Sequence, residues 1–131
     1  MLLEDIKNKI IQIINKNIEC EAILIFGSYI RGSQREDSDI DIAIKSKENF
    51  NKKKIIDISN ELEEQLKIDV DLVDLDLIEN DGFKYEILIS GELIYCEDRY
   101  NFDMYKLDAF REYLELNESR KYIINELKRR D

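Results

Sequence analysis

The chain contains no histidine and no proline, only four glycines and two cysteines, and no apolar run near the roughly 20 residues of a membrane span. Without histidine, the His-assisted forms of serine, cysteine and zinc chemistry are excluded. Without proline, a Gly/Ser tract or an internal repeat, nothing marks a linker. The 131 residues therefore read as one domain, with residues 102–131 as a C-terminal helical extension. Cys20 and Cys96 are expected to be reduced thiols that serve as small buried hydrophobes. The N-terminal MLLEDIKNKIIQII carries Glu4, Asp5, Lys7 and Lys9 inside its apolar pattern, which does not suit a signal peptide, so a cytoplasmic protein is expected. Basic charge is also scarce. Twenty Lys and Arg against thirty Asp and Glu give a net charge of −10. That balance argues against direct nucleic-acid binding, whose footprint is a basic patch, and suits cations or basic partners.

What the chain does have is clear hydrophobic periodicity. Leu3, Ile6, Ile10, Ile13, Ile14 and Ile18 recur at three- and four-residue steps and predict a helix over 2–18. AILIF, 22–26, is a short apolar run stopped by Gly27 and reads as a buried strand. Residues 28–38 are polar and loop-like, and DIDIAI, 39–44, alternates as a strand should. Ile55, Ile58, Leu62 and Leu66 form one stripe of a helix over 51–67. IDVDLVDL, 68–75, alternates again as a third strand. A short helix through Tyr85–Ile89 should end at Gly91, before a strand at Leu93–Cys96. From Phe102 to Arg130 the pattern is helical, with a break allowed near Asn117. The order α-β-loop-β-α-β-α-β-α predicts an α+β, mixed α/β, fold: a small mixed sheet with helices mainly on one face.

The chemistry concentrates in GSYIRGSQREDSDIDIAI, 27–44. Asp39 and Asp41, two apart on a strand, leave the same face with Cα atoms about 7 Å apart, while Ile40, Ile42 and Ile44 point to the core. Asp69 and Asp71 repeat the design among Ile68, Val70 and Leu72. If the two strands are neighbours, their carboxylates converge and repel one another until hard divalent cations intervene. Two such ions about 4 Å apart can hold the attacking and leaving oxygens of an in-line phosphoryl displacement. Gly27 lets backbone N–H groups approach an anion, Ser28 adds a hydroxyl, and Arg31 and Arg35 could reach the same phosphates.

Two other motifs fail on specific residues. Gly27 and Gly32 have the spacing of a P-loop, but Ser33 and Gln34 stand where Lys and Ser/Thr are needed. Asp37, Asp39, Asp41 and Glu48 fall on EF-hand positions, but Ile42 occupies the glycine position of that loop.

Gly27-Ser28 followed after ten residues by Asp39-Ile40-Asp41 resembles the signature of the nucleotidyltransferase superfamily that includes DNA polymerase β, and GSYIRG with SDIDI is similar to its minimal, MNT-type members. The tail AFREYLELNESRKYIINEL, 109–127, resembles more loosely the C-terminal helix of MNT antitoxins of the MntA-like group, which pair with HEPN ribonuclease toxins. The resemblance implies a polymerase-β-type nucleotidyltransferase fold. It assigns Asp39 and Asp41 to metal binding, Gly27 and Ser28 to the phosphates, and Asp71, in Val70-Asp71-Leu72-Val73, to the third carboxylate, with Asp69 as runner-up. Arg31 matches the arginine of the family's R-G step. The implied cofactor is Mg²⁺, two ions, with Mn²⁺ possible, and the implied substrate is ATP or another NTP. The implied activity is transfer of AMP to a hydroxyl, a tyrosine of a cognate HEPN toxin, so that the protein acts as an antitoxin. The alternatives are a binding-only antitoxin with a dormant site and transfer to a small molecule. Phe102, Tyr105, Phe110, Tyr113 and Tyr122 could supply a partner surface.

Overall fold

The structure is a computed structural model that describes residues 3–27 and 39–129, apart from the side chains of residues 119 and 122. Along the chain run α1 (Leu3–Asn17), β1 (Cys20–Phe26), β2 (Ile40–Ser46), α2 (Lys52–Leu66), β3 (Val70–Asp74), a 3-10 turn (Leu75–Leu77), α3 (Asp81–Ser90), β4 (Glu92–Cys96) and α4 (Arg99–Arg129). The strands form one mixed sheet in the order β3-β2-β1-β4. β1 is antiparallel to both β2 and β4, and β2 is parallel to β3, with α2 as the crossover between them.

The ends of α2 explain why that crossover is tight. Asn51 caps its first turn by accepting the Lys54 N–H at 3.0 Å. Lys67 closes it in a left-handed conformation, φ 60°, and donates its N–H to the Glu63 carbonyl. The Glu63 carboxylate then accepts the Val70 N–H at 3.0 Å, so the end of the helix fixes the start of β3.

Helices cover both faces of the sheet, and the expectation of helices mainly on one face is corrected on this point. Ile23 and Ile25 of β1 and Ile40, Ile42 and Ile44 of β2 pack with α1 and α2. Ala22 and Leu24 of β1 and Ala43 of β2 pack on the opposite side with Ile87 and Leu88 of α3 and Phe102 and Ala109 of α4. Each fully buried isoleucine contributes roughly 1.5–3 kcal/mol by leaving water, and Ile10, Ile14, Ile23, Ile25, Ile40, Ile42 and Ile44 are essentially inaccessible.

The second face also holds a polar anchor. Lys45 Nζ lies 3.0 Å from Asp76 and 3.7 Å from Glu21, and the Tyr105 hydroxyl donates to Asp76 at 2.9 Å. Burial, reinforced by the hydrogen bond to Asp76, raises the pKa of Tyr105 well above the usual phenol value. Tyr105 is therefore a neutral donor that ties α4 to the 3-10 turn. The aromatics of α4 are largely engaged in the same way. Phe102 is buried, Tyr113 stacks on Tyr85 with centroids 4.8 Å apart, and Phe110 meets Tyr85 at 5.3 Å. Tyr122 has a side chain outside the described residues. The helix runs through Asn117 without a break, and Leu114, Ile123, Ile124 and Leu127 are exposed along its second half.

Both cysteines are free. Burial pushes the Cys20 thiol up to about 12, so it is inert at neutral pH, and burial also raises Cys96.

Candidate active site

At one end of the sheet β1 finishes and the parallel pair β2 and β3 begins. The Ile40 N–H donates to the Asp69 carbonyl at 2.9 Å, which sets the register of that pair. Ile40 then falls opposite Val70, Asp41 opposite Asp71 and Ile42 opposite Leu72. Because Ile40, Ile42, Val70 and Leu72 face the α1–α2 core, Asp41 and Asp71 must face the other side. Neighbouring strands lie about 4.8 Å apart, so the two carboxylates are adjacent. On the other flank Asp41 pairs in register with Phe26 of β1, immediately before Gly27.

Gly27 has φ +75°, a left-handed conformation that side chains rarely adopt. A Cβ at this position would lie 2.1 Å from Asp41 Oδ2. The glycine is therefore required twice over, by the turn and by the carboxylate that lies against it.

Phe26, Gly27, Asp41 and Asp71 form one wall of a pocket of ≈ 410 Å³. The opposite wall comes from α3, whose Phe83, Glu86, Ile87 and Ser90 line the cavity at three- and four-residue spacing. Asn80 fixes that helix by accepting the Phe83 N–H at 2.9 Å, and Phe83 meets Phe26 edge to face with centroids 6.1 Å apart. The size is that of a small-molecule site. Among the described residues, no three carboxylates or thiols converge to hold a metal ion by themselves.

Residues 8–100 match the family described as polymerase beta, nucleotidyltransferase. The chain belongs to that family. A relative from Methanocaldococcus jannaschii, provisionally named a protein adenylyltransferase, is 38% identical over 93 residues, which is 71% of this chain and 93% of the relative. A crystal structure of a toxin–antitoxin with AMP-PNP superposes with a TM-score of 0.82 at 28% identity, covering 92% of this chain and 97% of the matched one. A tri-AMPylated Shewanella oneidensis HEPN toxin in complex with MNT antitoxin gives a TM-score of 0.79 at 24% identity, over 96% of this chain and 98% of the matched one, a likeness of fold.

Within this nucleotidyltransferase fold the structure brings together Gly27, Asp41 and Asp71, three of the residues expected from sequence. Asp39 and Asp69 are exposed just ahead of β2 and β3 and do not line the pocket. Ser28, Arg31 and Arg35 lie outside the described residues. Phe83, Glu86, Ile87 and Ser90 of α3 were not expected in the site. Their spacing was visible in FKYEILIS, but the sequence pattern alone supports a shorter helix beginning at Tyr85.

Proposed function

We propose that this nucleotidyltransferase moves AMP from ATP to a tyrosine hydroxyl of a cognate HEPN toxin and thereby acts as an antitoxin. The observation that carries the reading is the register pairing of Asp41 with Asp71 beside the Gly27 turn, in one pocket. The ATP analogue and toxin partner of the solved structure, and the adenylyltransferase name of the relative, support the choice of nucleotide and acceptor.

A divalent ion suits this donor set. Two adjacent carboxylates are hard oxygen ligands, and Mg²⁺ commonly takes one or two of them while water and substrate phosphates complete its shell. We assign Asp41 and Asp71, with Asp39 from the motif, to two Mg²⁺ ions, Mn²⁺ being able to replace them. Such ions would offset charge that develops on the phosphoryl oxygens and on departing pyrophosphate. The chain's own residues provide the rest. The Gly27 turn presents backbone to the phosphates, and Ser28 and Arg31 extend that cradle. The tyrosine oxygen attacks the α-phosphorus, the bond to pyrophosphate breaks, and the hydroxyl proton passes to a carboxylate of the pocket, while Asp71 helps to orient the attack. The setting we infer is the cytoplasm, where ATP is supplied; among the described residues no helix is long and apolar enough to cross a membrane.

Nucleotide binding tests the site without requiring the acceptor. A ligand present at about a hundred times its Kd adds about 2.7 kcal/mol, a rise of several degrees in Tm for a domain of this size. A non-hydrolysable ATP analogue with Mg²⁺ should produce that rise, and Asp41→Asn should reduce it. Identical melting curves with chelator and with Mg²⁺, nucleotide present in both, would remove the metal from the account.

A further inference from the structure

Glu86 is the one ionisable side chain that α3 contributes to the pocket lining. It is exposed, and among the described residues its carboxylate has neither a hydrogen-bond partner nor an ion-pair partner. Its backbone carbonyl accepts the Ser90 hydroxyl at 2.7 Å, an ordinary intrahelical contact that leaves the carboxylate unengaged. Glu86 lines the same pocket as Asp41 and Asp71, but from α3 and not from the sheet. Its place on the helix sets it apart from the two in-register strand carboxylates.

The two substrates differ in charge. A nucleoside triphosphate is a polyanion and is repelled by an unneutralised carboxylate, so its phosphates belong on the Gly27 side, where metal can balance Asp41 and Asp71. A hydroxyl is neutral and donates a hydrogen bond that an ionised carboxylate accepts well. We propose that Glu86 binds the acceptor: its carboxylate accepts the hydrogen bond of the incoming hydroxyl and holds it in the pocket facing the α-phosphorus. This rests on the adenylyl-transfer reading and names the residue that places its second substrate.

The test uses Glu86→Ala and Glu86→Gln in the full chain, with the cognate toxin as acceptor, measuring the rate of transfer and the KM for toxin and for ATP separately. A lost hydrogen bond to a charged group lowers kcat/KM for the toxin about tenfold or more in Glu86→Ala. KM for ATP should stay at its wild-type value, because the triphosphate is held on the Gly27 side of the pocket. Glu86→Gln keeps an acceptor oxygen and should recover most of the loss. If Glu86→Ala transfers to toxin as well as wild type, or if ATP binding falls in parallel with transfer, the assignment is overturned. If wild type itself transfers no AMP, the parent reading fails and this one falls with it. Active wild type with an indifferent Glu86→Ala sinks the Glu86 assignment alone.

Discussion

Asp41→Ala should abolish adenylyl transfer, by about a thousandfold or more, since it removes a carboxylate that we assign to holding the metal and the reacting phosphate. The fold should survive. Asp41 sits near the start of β2, its side chain facing the pocket and not the isoleucine core, so Tm should shift by no more than about a degree or two. Asp39→Ala is the companion variant. The sequence signature gives Asp39 a metal role, whereas the structure leaves it exposed and outside the pocket lining. A loss comparable to that of Asp41→Ala would mean that bound metal and nucleotide engage it. Asp37→Ala, a carboxylate next to the motif but not in it, should do far less. Toxin-transfer rates and melting curves of the three variants check this together; equal activity in all three would reduce the acidic strand to a solvated surface.

Gly27→Ala should cost both activity and stability, which sets it apart from the aspartate variants. Alanine at φ +75° is strained, and its Cβ would contest the space of Asp41 Oδ2 at 2.1 Å. The carboxylate must move, so transfer should fall about as far as in Asp41→Ala, while strain removes about 1–3 kcal/mol and several degrees of Tm. Because the clash is with one side chain, it should couple to it. In an Asp41→Ala background the same glycine substitution should destabilise measurably less, a non-additivity that a double-mutant cycle reads directly. A fully additive cycle would mean that the close approach is not what the glycine is for.

The strands and the acidic pair were legible because period-two alternation is a local signal. In DIDIAI and IDVDLVDL the residues that must be buried fix the direction of those that must not, and the register then sets Asp41 beside Asp71. The placement of helices on both faces was less legible, although a clue existed. AILIF does not alternate; Ala22 and Leu24 are buried on one side and Ile23 and Ile25 on the other, as in a strand covered twice. Gly91 ends α3 as expected, but for a different reason. Its φ of −71° needs no glycine, whereas a Cβ there would lie 2.5 Å from the Ile87 carbonyl oxygen. The helix α3 was partly legible, but not the face it turns to the pocket, because for a short and broadly apolar helix that depends on the tertiary position of α4 and β1. The aromatics of α4 likewise could suggest an interface from sequence, until packing engaged Phe102, Tyr105 and Tyr113 with the body of the domain.

Repeated covalent transfer is read most directly from the intact mass of the toxin. The cognate toxin, in excess over this chain, should gain one or more whole AMP units when ATP and Mg²⁺ are supplied and lose its toxicity in parallel. The gain should be absent with the Asp39→Ala, Asp41→Ala double variant even though the complex still forms. An unchanged toxin mass, with neutralisation only at matched stoichiometry and without nucleotide, would contradict the account and make the protein an antitoxin that works by binding.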